Sequence, residues 1–202
     1  MTIKLVGLTG SIGMGKSTVG RMFEKEGIPI YNADAEVHKL YDKGGVAVEP
    51  IRAVFPEAIV DDQVDRPTLS KLVIGNEEAI KKLESIVHPL VHEDREQFLK
   101  NAAEAGHKMA ILDVPLIYEK GGQERLDKVL VVSAPYDVQK DRVLARDDMS
   151  LEKFEQILAR QVPDEKKREL ADHVINTHCT EEETHEQVKA LIKDLKEDFG
   201  HA

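Results

Sequence analysis

The spacing of apolar residues predicts a chain that alternates short buried strands with amphipathic helices. The apolar run at residues 3–8 ends in a glycine-rich stretch, and Val19, Met22 and Phe23 follow at helical spacing. This pattern predicts a strand, a loop and a helix in that order. Such a unit is typical of the start of a parallel α/β sheet.

Four further short apolar segments predict strands of the same sheet. They are residues 28–31, 108–114, 128–133 and 173–176. Each is as short as the buried strands of a parallel sheet usually are. With the first strand they predict a three-layer α/β fold that is built on a five-stranded parallel sheet.

A helical insertion is predicted between the second and third of these strands. Residues 46–106 follow a helical pattern almost throughout, with breaks at Asp61, Asp62 and Asn76. Pro89 should kink or end the helix that precedes it, because proline lacks the backbone N–H.

Further helices are predicted before and after this insertion. Asn32 or Asp34 should cap a helix that runs to residue 41, and a helix is expected over 136–146. A charged helix should start at Ser150 and stop before Pro163. The final helix is expected over 181–199, with one apolar face.

Composition and charge then exclude several classes of function. The chain has 28 Lys and Arg against 38 Asp and Glu, a net charge of −10, which argues against general binding to nucleic acid or anionic membranes. The first apolar run is too short for a signal peptide or a membrane span. The single cysteine, Cys179, cannot form an intramolecular disulfide. We expect a cytoplasmic protein that acts as a monomer or a weak homo-oligomer.

The clearest chemical signal is the loop between the first strand and the first helix. Residues 10–17 (GSIGMGKS) fit the phosphate-loop pattern G-x-x-x-x-G-K-[ST] in its required setting between a strand and a helix. Backbone N–H groups and the positive end of the helix dipole should surround nucleotide phosphates there. The residues expected to bind the nucleotide phosphates are Gly10, Ser11, Ile12, Gly13, Met14, Gly15, Lys16, Ser17 and Thr18.

A Mg²⁺ ion should accompany the phosphates. Ser17 offers a hydroxyl, and Asp113, near the end of the third sheet strand, lies where a Walker-B carboxylate is expected. The alternative for Asp113 is that a carboxylate at a strand end caps the following turn.

The acceptor of the phosphoryl group needs a residue that orients its hydroxyl and takes the proton. Asp34 follows the second strand, at the sheet edge where ligands bind in open α/β folds, and is the best candidate for a general base. The alternative is that it caps its helix. Arg142, Arg146 and Arg160 follow the fourth strand and could stabilise the transferring phosphoryl group from a lid, or lie solvated on the surface.

Taken together, these motifs resemble the dephospho-coenzyme A kinase family over most of the chain. The matching segments are 6–10 (VGLTG), 32–34 (NAD), 86–89 (IVHP), 115–119 (PLIYE), 146–147 (RD), Gln161 and 171–176 (ADHVIN). The resemblance implies the fold of a P-loop kinase, ATP and Mg²⁺ as cofactors, and transfer of phosphate to the ribose 3′-hydroxyl of dephospho-coenzyme A. This reaction gives coenzyme A and ADP, as the last step of coenzyme A synthesis.

The resemblance also implies a division of the chain and a set of site residues. Asp34 matches the family's proposed base, Arg146 and Arg142 would contact ATP, and Asn176 would lie near the adenine. The implied acceptor contacts are Thr9, Asp34, His88, Pro89, Tyr118 and Glu119. The implied parts are a core (1–34, 107–141 and 171–202), an acceptor-binding insertion (35–106) and a lid (142–170).

Two positions depart from the family's pattern. Asn32 stands where the family usually has aspartate, which reduces the charge available for any metal contact there. Thr177 stands where the family often has a second asparagine, which weakens the adenine assignment.

Other nucleotide-binding classes fit less well. The acceptor segment Asp-Gly-Phe-Pro-Arg of adenylate kinases does not occur in the sequence. Residues 42–45 (DKGG) formally match the D-x-x-G of GTP-binding switches, but they follow a helix, and an N-K-x-D motif is missing.

Overall fold

The structure is a computed structural model that describes residues 3–200. In this range the strands are β1 (Lys4–Thr9), β2 (Ile30–Asn32), β3 (Ile59–Val60), β4 (Gln63–Val64), β5 (Met109–Asp113), β6 (Lys128–Ser133) and β7 (His173–Asn176). The main sheet has the order β2-β5-β1-β6-β7. Strand β1 pairs in parallel with β5 and β6, and β6 pairs in parallel with β7. The predicted five-stranded parallel sheet is confirmed.

Helices connect these strands. Within residues 3–200 they are α1 (Lys16–Lys25), α2 (Ala33–Tyr41), α3 (Val48–Val54), α4 (Arg66–Val73), α5 (Glu77–Glu104), α6 (Tyr136–Leu144), α7 (Leu151–Leu158), α8 (Asp164–Leu170) and α9 (Glu181–Asp198). Ser150 caps α7 as predicted, because its hydroxyl accepts the N–H of Lys153 at 3.2 Å. The helix α8, directly after Pro163, was not anticipated from the sequence. None of the helices in the described range is long and apolar enough to cross a membrane.

The chain divides into two compact units, the first formed by residues up to Tyr31 together with those from Ala102 onward. Its core lies on one face of the sheet, where Val6 and Leu8 of β1 are fully buried. Alternate residues of β5, β6 and β7 join them, and the apolar faces of α1 and α9 cover this layer. Helix α9 starts with a capping box, in which Thr180 and Glu183 bond to each other's backbone N–H. The core therefore fixes α1, and with it the loop that precedes α1.

The second unit covers Asn32–Asn101 and has its own apolar core. The prediction that 46–106 is almost wholly helical needs one correction, because β3 and β4 form a short antiparallel hairpin. Its turn is Asp61-Asp62, and both residues have positive φ angles, 50° and 62°. Aspartate tolerates this conformation better than most residues, and a two-residue turn of this hand suits the twist of a hairpin. The predicted break at this position is thus a turn between strands.

Pro89 does not end a helix, contrary to one of the two predicted outcomes. Helix α5 runs through it over 28 residues. Proline removes one backbone hydrogen bond at this point. Leu83, Val87 and Val91 nevertheless hold the apolar face of the helix against the core of the second unit. Packing on both sides of the proline keeps the helix continuous.

Candidate active site

The phosphate loop, residues 10–17, joins β1 to α1 at the carboxyl edge of the sheet. Helix α1 begins at Lys16, and its first turn contains no acidic residue that would occupy its positive end. Gly15, before Lys16, has φ 92°. Gly13 has φ 79°, and a Cβ atom there would lie 2.5 Å from Cγ2 of Val143 in α6. Both glycines have a backbone conformation that other residues rarely adopt, and a side chain at Gly13 would also collide with α6.

Lys16 and Asp113 form an ion pair at the same edge. The register places Asp113 opposite Leu8, one residue before the end of β1. Its side chain is 4% exposed and that of Lys16 is 16% exposed. The structure thus brings together the two charged residues that the sequence assigned to the phosphate and metal chemistry.

The phosphate loop is bonded to the core by side chains from three other elements. Gln139 of α6 donates to the carbonyl oxygen of Ile12 at 2.7 Å, and Gln161 accepts the N–H of Ile12 at 3.2 Å. Thr177, after β7, donates its hydroxyl hydrogen to the carbonyl oxygen of Met14 at 2.8 Å. These bonds fix the backbone of the loop in one conformation before any ligand arrives.

Sequence reasoning missed the contribution of Gln139. A glutamine in a charged helix is usually solvated, yet this one is 3% exposed. The available signal was its spacing, since it lies four residues before the buried Val143 on the same helix face.

Of the predicted lid arginines, Arg142 already has partners. Its guanidinium group donates to the hydroxyl and the carbonyl oxygens of Thr177 at 2.9 and 2.7 Å. Arg146 and Arg160 follow the ends of α6 and α7 and are exposed. The side chain of Arg146 makes no hydrogen bond or ion pair with any residue of the range 3–200. Arg146 therefore remains available to an anionic ligand.

A cavity of about 1290 Å³ opens beside the phosphate loop. Ser11 and Met14 of the loop line it, together with Tyr136 at the start of α6 and the predicted adenine residue Asn176. The turn between α7 and α8 forms another wall. It is larger than the roughly 300–1,000 Å³ that is typical of pockets for small organic ligands, so a nucleotide would fit into it.

The predicted acceptor residues of the first unit differ in their burial and in their hydrogen bonds. Thr9 is fully buried, and its hydroxyl donates to the carbonyl oxygen of Pro115 at 3.0 Å. The hydroxyl of Tyr118 is buried without a hydrogen-bond partner among residues 3–200, and burial, with a smaller contribution from Asp172, raises its pKa. Glu119 lies 2.8 Å from the ammonium group of Lys167.

The predicted acceptor residues of the second unit are all exposed. Asp34 lies in the first turn of α2. The interpretation that Asp34 caps this helix is wrong, because Asn32 is the cap and accepts the N–H of Ala35 at 2.9 Å. His88 and Pro89 lie on α5.

Comparisons with known proteins agree with this geometry. A family model described as dephospho-CoA kinase matches residues 4–183. A dephospho-CoA kinase from Mesorhizobium japonicum is 48% identical over 196 residues, which cover 97% of this chain and 98% of that protein. Its counterpart from Ruegeria pomeroyi is 46% identical over 202 residues and matches 100% of both chains.

Solved structures are also similar to this chain over nearly its whole length. A crystal structure of a Thermus thermophilus protein has a TM-score of 0.79 at 32% identity and covers 96% of this chain and 99% of that chain. The dephospho-CoA kinase from Campylobacter jejuni has a TM-score of 0.66 at 26% identity and covers 96% and 98%. Shikimate kinase from Acinetobacter baumannii, with a TM-score of 0.53 at 16% identity, covers 98% and 95% and shares the fold alone. The chain belongs to the dephospho-CoA kinase family, and its fold is that of the P-loop kinases.

Proposed function

We propose that this protein transfers the γ-phosphate of ATP to the ribose 3′-hydroxyl of dephospho-coenzyme A and releases coenzyme A and ADP. One observation supports the transfer of a phosphoryl group. A preformed phosphate loop lies at the carboxyl edge of a parallel sheet, and Lys16 forms an ion pair with Asp113 there. Membership of the family, with relatives that match nearly the whole chain, supports the identity of the acceptor.

In this proposal, the phosphate loop and Lys16 bind the phosphates of ATP. The phosphate loop leads into the positive end of α1, where negative charge is stabilised. Lys16 exchanges its contact with Asp113 for the phosphate oxygens, because a bound triphosphate brings more negative charge than one carboxylate. Little covalent chemistry is required of the protein, so the positions of these groups account for most of the catalysis.

Ser17 and Asp113 are the proposed protein contacts of Mg²⁺. A hydroxyl and a carboxylate fit the preference of this ion for oxygen ligands. Residues 3–200 contain no group of three or more His, Cys, Asp or Glu side chains that could hold a metal ion. Mg²⁺ does not require one, since it keeps several waters and binds phosphate oxygens. When bound, it supplies positive charge at those oxygens.

Asp34 is the proposed general base. Its carboxylate is exposed at the start of α2, and Asn32 performs the capping. The side chain is therefore available to orient the acceptor hydroxyl and to accept its proton late in the transfer.

The cavity beside the phosphate loop is the proposed site for the adenosine part of ATP. Asn176 lines it, and Arg142 stabilises the adjoining end of β7 through Thr177. Arg146 is proposed to contact the phosphates, because its guanidinium group is exposed and has no partner among the described residues.

The acceptor side is proposed to include Thr9, His88, Pro89, Tyr118 and Glu119. Residues 35–106 would form the acceptor-binding region, and residues 142–170 would act as a lid that excludes water on closure. Thr9 and Glu119 are bonded within the first unit, so they would shape the acceptor site through their neighbours.

We also propose that the protein works in the cytoplasm as a monomer or a weak homo-oligomer. A sequence with the single cysteine Cys179 agrees with a reducing compartment.

The test is ADP release by the purified protein with Mg²⁺-ATP, with and without dephospho-coenzyme A, and with mass detection of the product. We expect ADP release that depends on the acceptor, and a product that is heavier by one phosphate. Equal ADP release in both reactions would contradict the proposed acceptor.

A further inference from the structure

Lys167 is a buried lysine on a charged helix. It is 0% exposed, whereas the preceding residue, Lys166, is exposed and pairs with Glu169 on the surface at 2.8 Å. The partner of Lys167 is Glu119, whose Oε1 atom lies 2.8 Å from the ammonium nitrogen. Lysine is almost never fully buried unless it is paired, because a charge without a partner is expensive to desolvate. The position of α8 thus depends on Glu119.

Glu119 has a second contact, to the turn before α8. The same Oε1 atom accepts the N–H of Val162 at 2.9 Å. Burial raises the pKa of Glu119, but the ammonium group of Lys167 and the hydrogen bond from Val162 outweigh it and hold the pKa below its ordinary value. The carboxylate is therefore ionised while it holds the turn.

The turn that Glu119 holds is the one that contacts the phosphate loop. Gln161 precedes Val162, and its side-chain oxygen accepts the N–H of Ile12 at 3.2 Å. Residues 161–163 also line the cavity beside the loop. A continuous series of contacts thus connects Lys167 to Ile12, through Glu119 and the adjacent residues Val162 and Gln161.

We propose that Glu119 and Lys167 are positioning residues for nucleotide binding, which act on the phosphate loop through Gln161. This inference rests on the proposed function only in taking the nucleotide to be ATP. A turn of a few residues has no core of its own and keeps its conformation through tethers to rigid elements. The ion pair provides that tether, because one carboxylate oxygen fixes both the backbone of the turn and the helix that follows it.

A double-mutant cycle on ATP affinity tests the proposal. Glu119 and Gln161 have no direct contact with each other, so independent roles would give effects that multiply. We expect Glu119→Gln and Gln161→Ala each to raise the dissociation constant of Mg²⁺-ATP, measured by calorimetry, by roughly tenfold. We expect the double variant to be little weaker than the weaker of the two single variants. A hundredfold loss in the double variant would overturn the proposal.

A second comparison covers the case in which Glu119→Gln does not fold. Glu119→Gln/Lys167→Met removes both charges and keeps an oxygen that can accept the N–H of Val162, whereas Glu119→Ala/Lys167→Met does not. We expect roughly tenfold weaker binding for the second variant and a smaller loss for the first, which keeps the contact with Val162 but lacks the ion pair. Near-normal affinity in both variants would show that the pair only stabilises the fold.

Two controls complete the experiment. Lys166→Met changes the exposed neighbour and should leave the affinity unchanged. Calorimetry measures ATP binding without an acceptor. The result of the double-mutant cycle therefore does not depend on whether dephospho-coenzyme A is the true acceptor. The unfolding temperature of every variant, measured without ligand, separates lost stability from lost positioning.

Discussion

The hydroxyl of Thr177 donates to the carbonyl oxygen of Met14 at 2.8 Å, which ties the end of β7 directly to the phosphate loop. Thr177 is 6% exposed, and its oxygen also accepts a hydrogen bond from Arg142 at 2.9 Å. One side chain thus joins the last strand, the loop and α6. Threonine at this position, where the family often has asparagine, therefore has a structural role of its own.

Thr177→Val should weaken this connection with little change of shape. We expect the free energy of unfolding to fall by about 1–2 kcal/mol, because a buried carbonyl group and an arginine each lose a partner. The KM for ATP should rise roughly fivefold. Urea unfolding and steady-state kinetics measure the two effects. Thr177→Ser keeps the hydroxyl and should stay close to the natural protein. If both variants lose the same affinity, the hydroxyl is not responsible.

Gly13→Ala should disrupt the phosphate loop for steric reasons. The new Cβ would lie 2.5 Å from Cγ2 of Val143 and 2.9 Å from the carbonyl oxygen of Gln139. Gly27→Ala is the matched control, because Gly27 has a similar φ, 75°, with nothing within 4 Å of a Cβ. We expect the control to lose about 1 kcal/mol of stability with an unchanged KM for ATP. Gly13→Ala should lose a further 1–3 kcal/mol or so and bind ATP at least roughly tenfold more weakly. Thermal unfolding and ATP titration compare the two.

Lys16→Ala should lower kcat by about 100-fold or more, because it removes the positive charge that stabilises the transferring phosphoryl group. The measurement is ADP release at saturating concentrations of ATP and dephospho-coenzyme A.

Asp113→Asn tests the metal contact separately. We expect the concentration of Mg²⁺ that gives half-maximal activity to rise several-fold, because an amide oxygen carries no formal charge. Titration of Mg²⁺ at constant ATP measures it. An unchanged requirement would mean that Asp113 pairs with Lys16 and does not contact Mg²⁺.

Asp34→Asn should lower kcat by roughly 100- to 10,000-fold, because the acceptor hydroxyl loses its base. The KM for ATP should change by less than about threefold, since the proposed role concerns the acceptor. Glu36→Gln, in the same turn of α2, is the control and should keep nearly normal kcat. Near-normal kcat in Asp34→Asn would remove this residue from the mechanism.

Asp127 should make stability depend on acid pH. Burial raises its pKa, but hydrogen bonds from Lys4 at 2.7 Å and from the N–H of Leu5 at 2.8 Å outweigh it, so the pKa lies below its ordinary value of 3.8. A carboxylate with a lowered pKa stabilises the fold above its unfolded-state pKa, and this stabilisation is lost as the pH falls through the native pKa. The difference in urea midpoint between the natural protein and Asp127→Asn should be constant from about pH 7 to 5 and should shrink as the pH falls below 3.8 and through the native pKa.

The control for this pH experiment is Asp141→Asn, at an exposed position of α6 beyond its first turn. Its difference in urea midpoint from the natural protein should stay small at every pH. A difference for Asp127→Asn that persists to the lowest pH would mean that hydrogen-bond geometry, and not charge, accounts for the stabilisation.

The parts of the site that depend on local sequence could be predicted. The glycines and Lys16 of the phosphate loop follow from the chemistry of phosphate binding, and the short apolar runs located the five sheet strands. Parallel strands end at one edge, so the position of Asp113 near the end of β5 was enough to predict that it lies beside the loop.

The parts that depend on long-range contacts could not be predicted. Lys166 and Lys167 are neighbours in a charged run, and only the distant Glu119 distinguishes the buried one from the exposed one. The hairpin at Asp61 and Asp62 was hidden because two-residue strands are too short to show an alternating pattern.

The strand order has a consequence for synthesis on the ribosome. Strand β1 leaves the ribosome before the other strands of the sheet, but it lies at the centre of the sheet, and Leu5 pairs with Ala110. The unit formed by Asn32–Asn101 is continuous in sequence, so all of it is available before the partners of β1 exist. The nascent chain must therefore carry its nucleotide-binding loop unformed until β5, β6 and the residues after β7 have been made. Variants that are harmless in the finished protein can then still lower its yield, if they expose β1 during this delay.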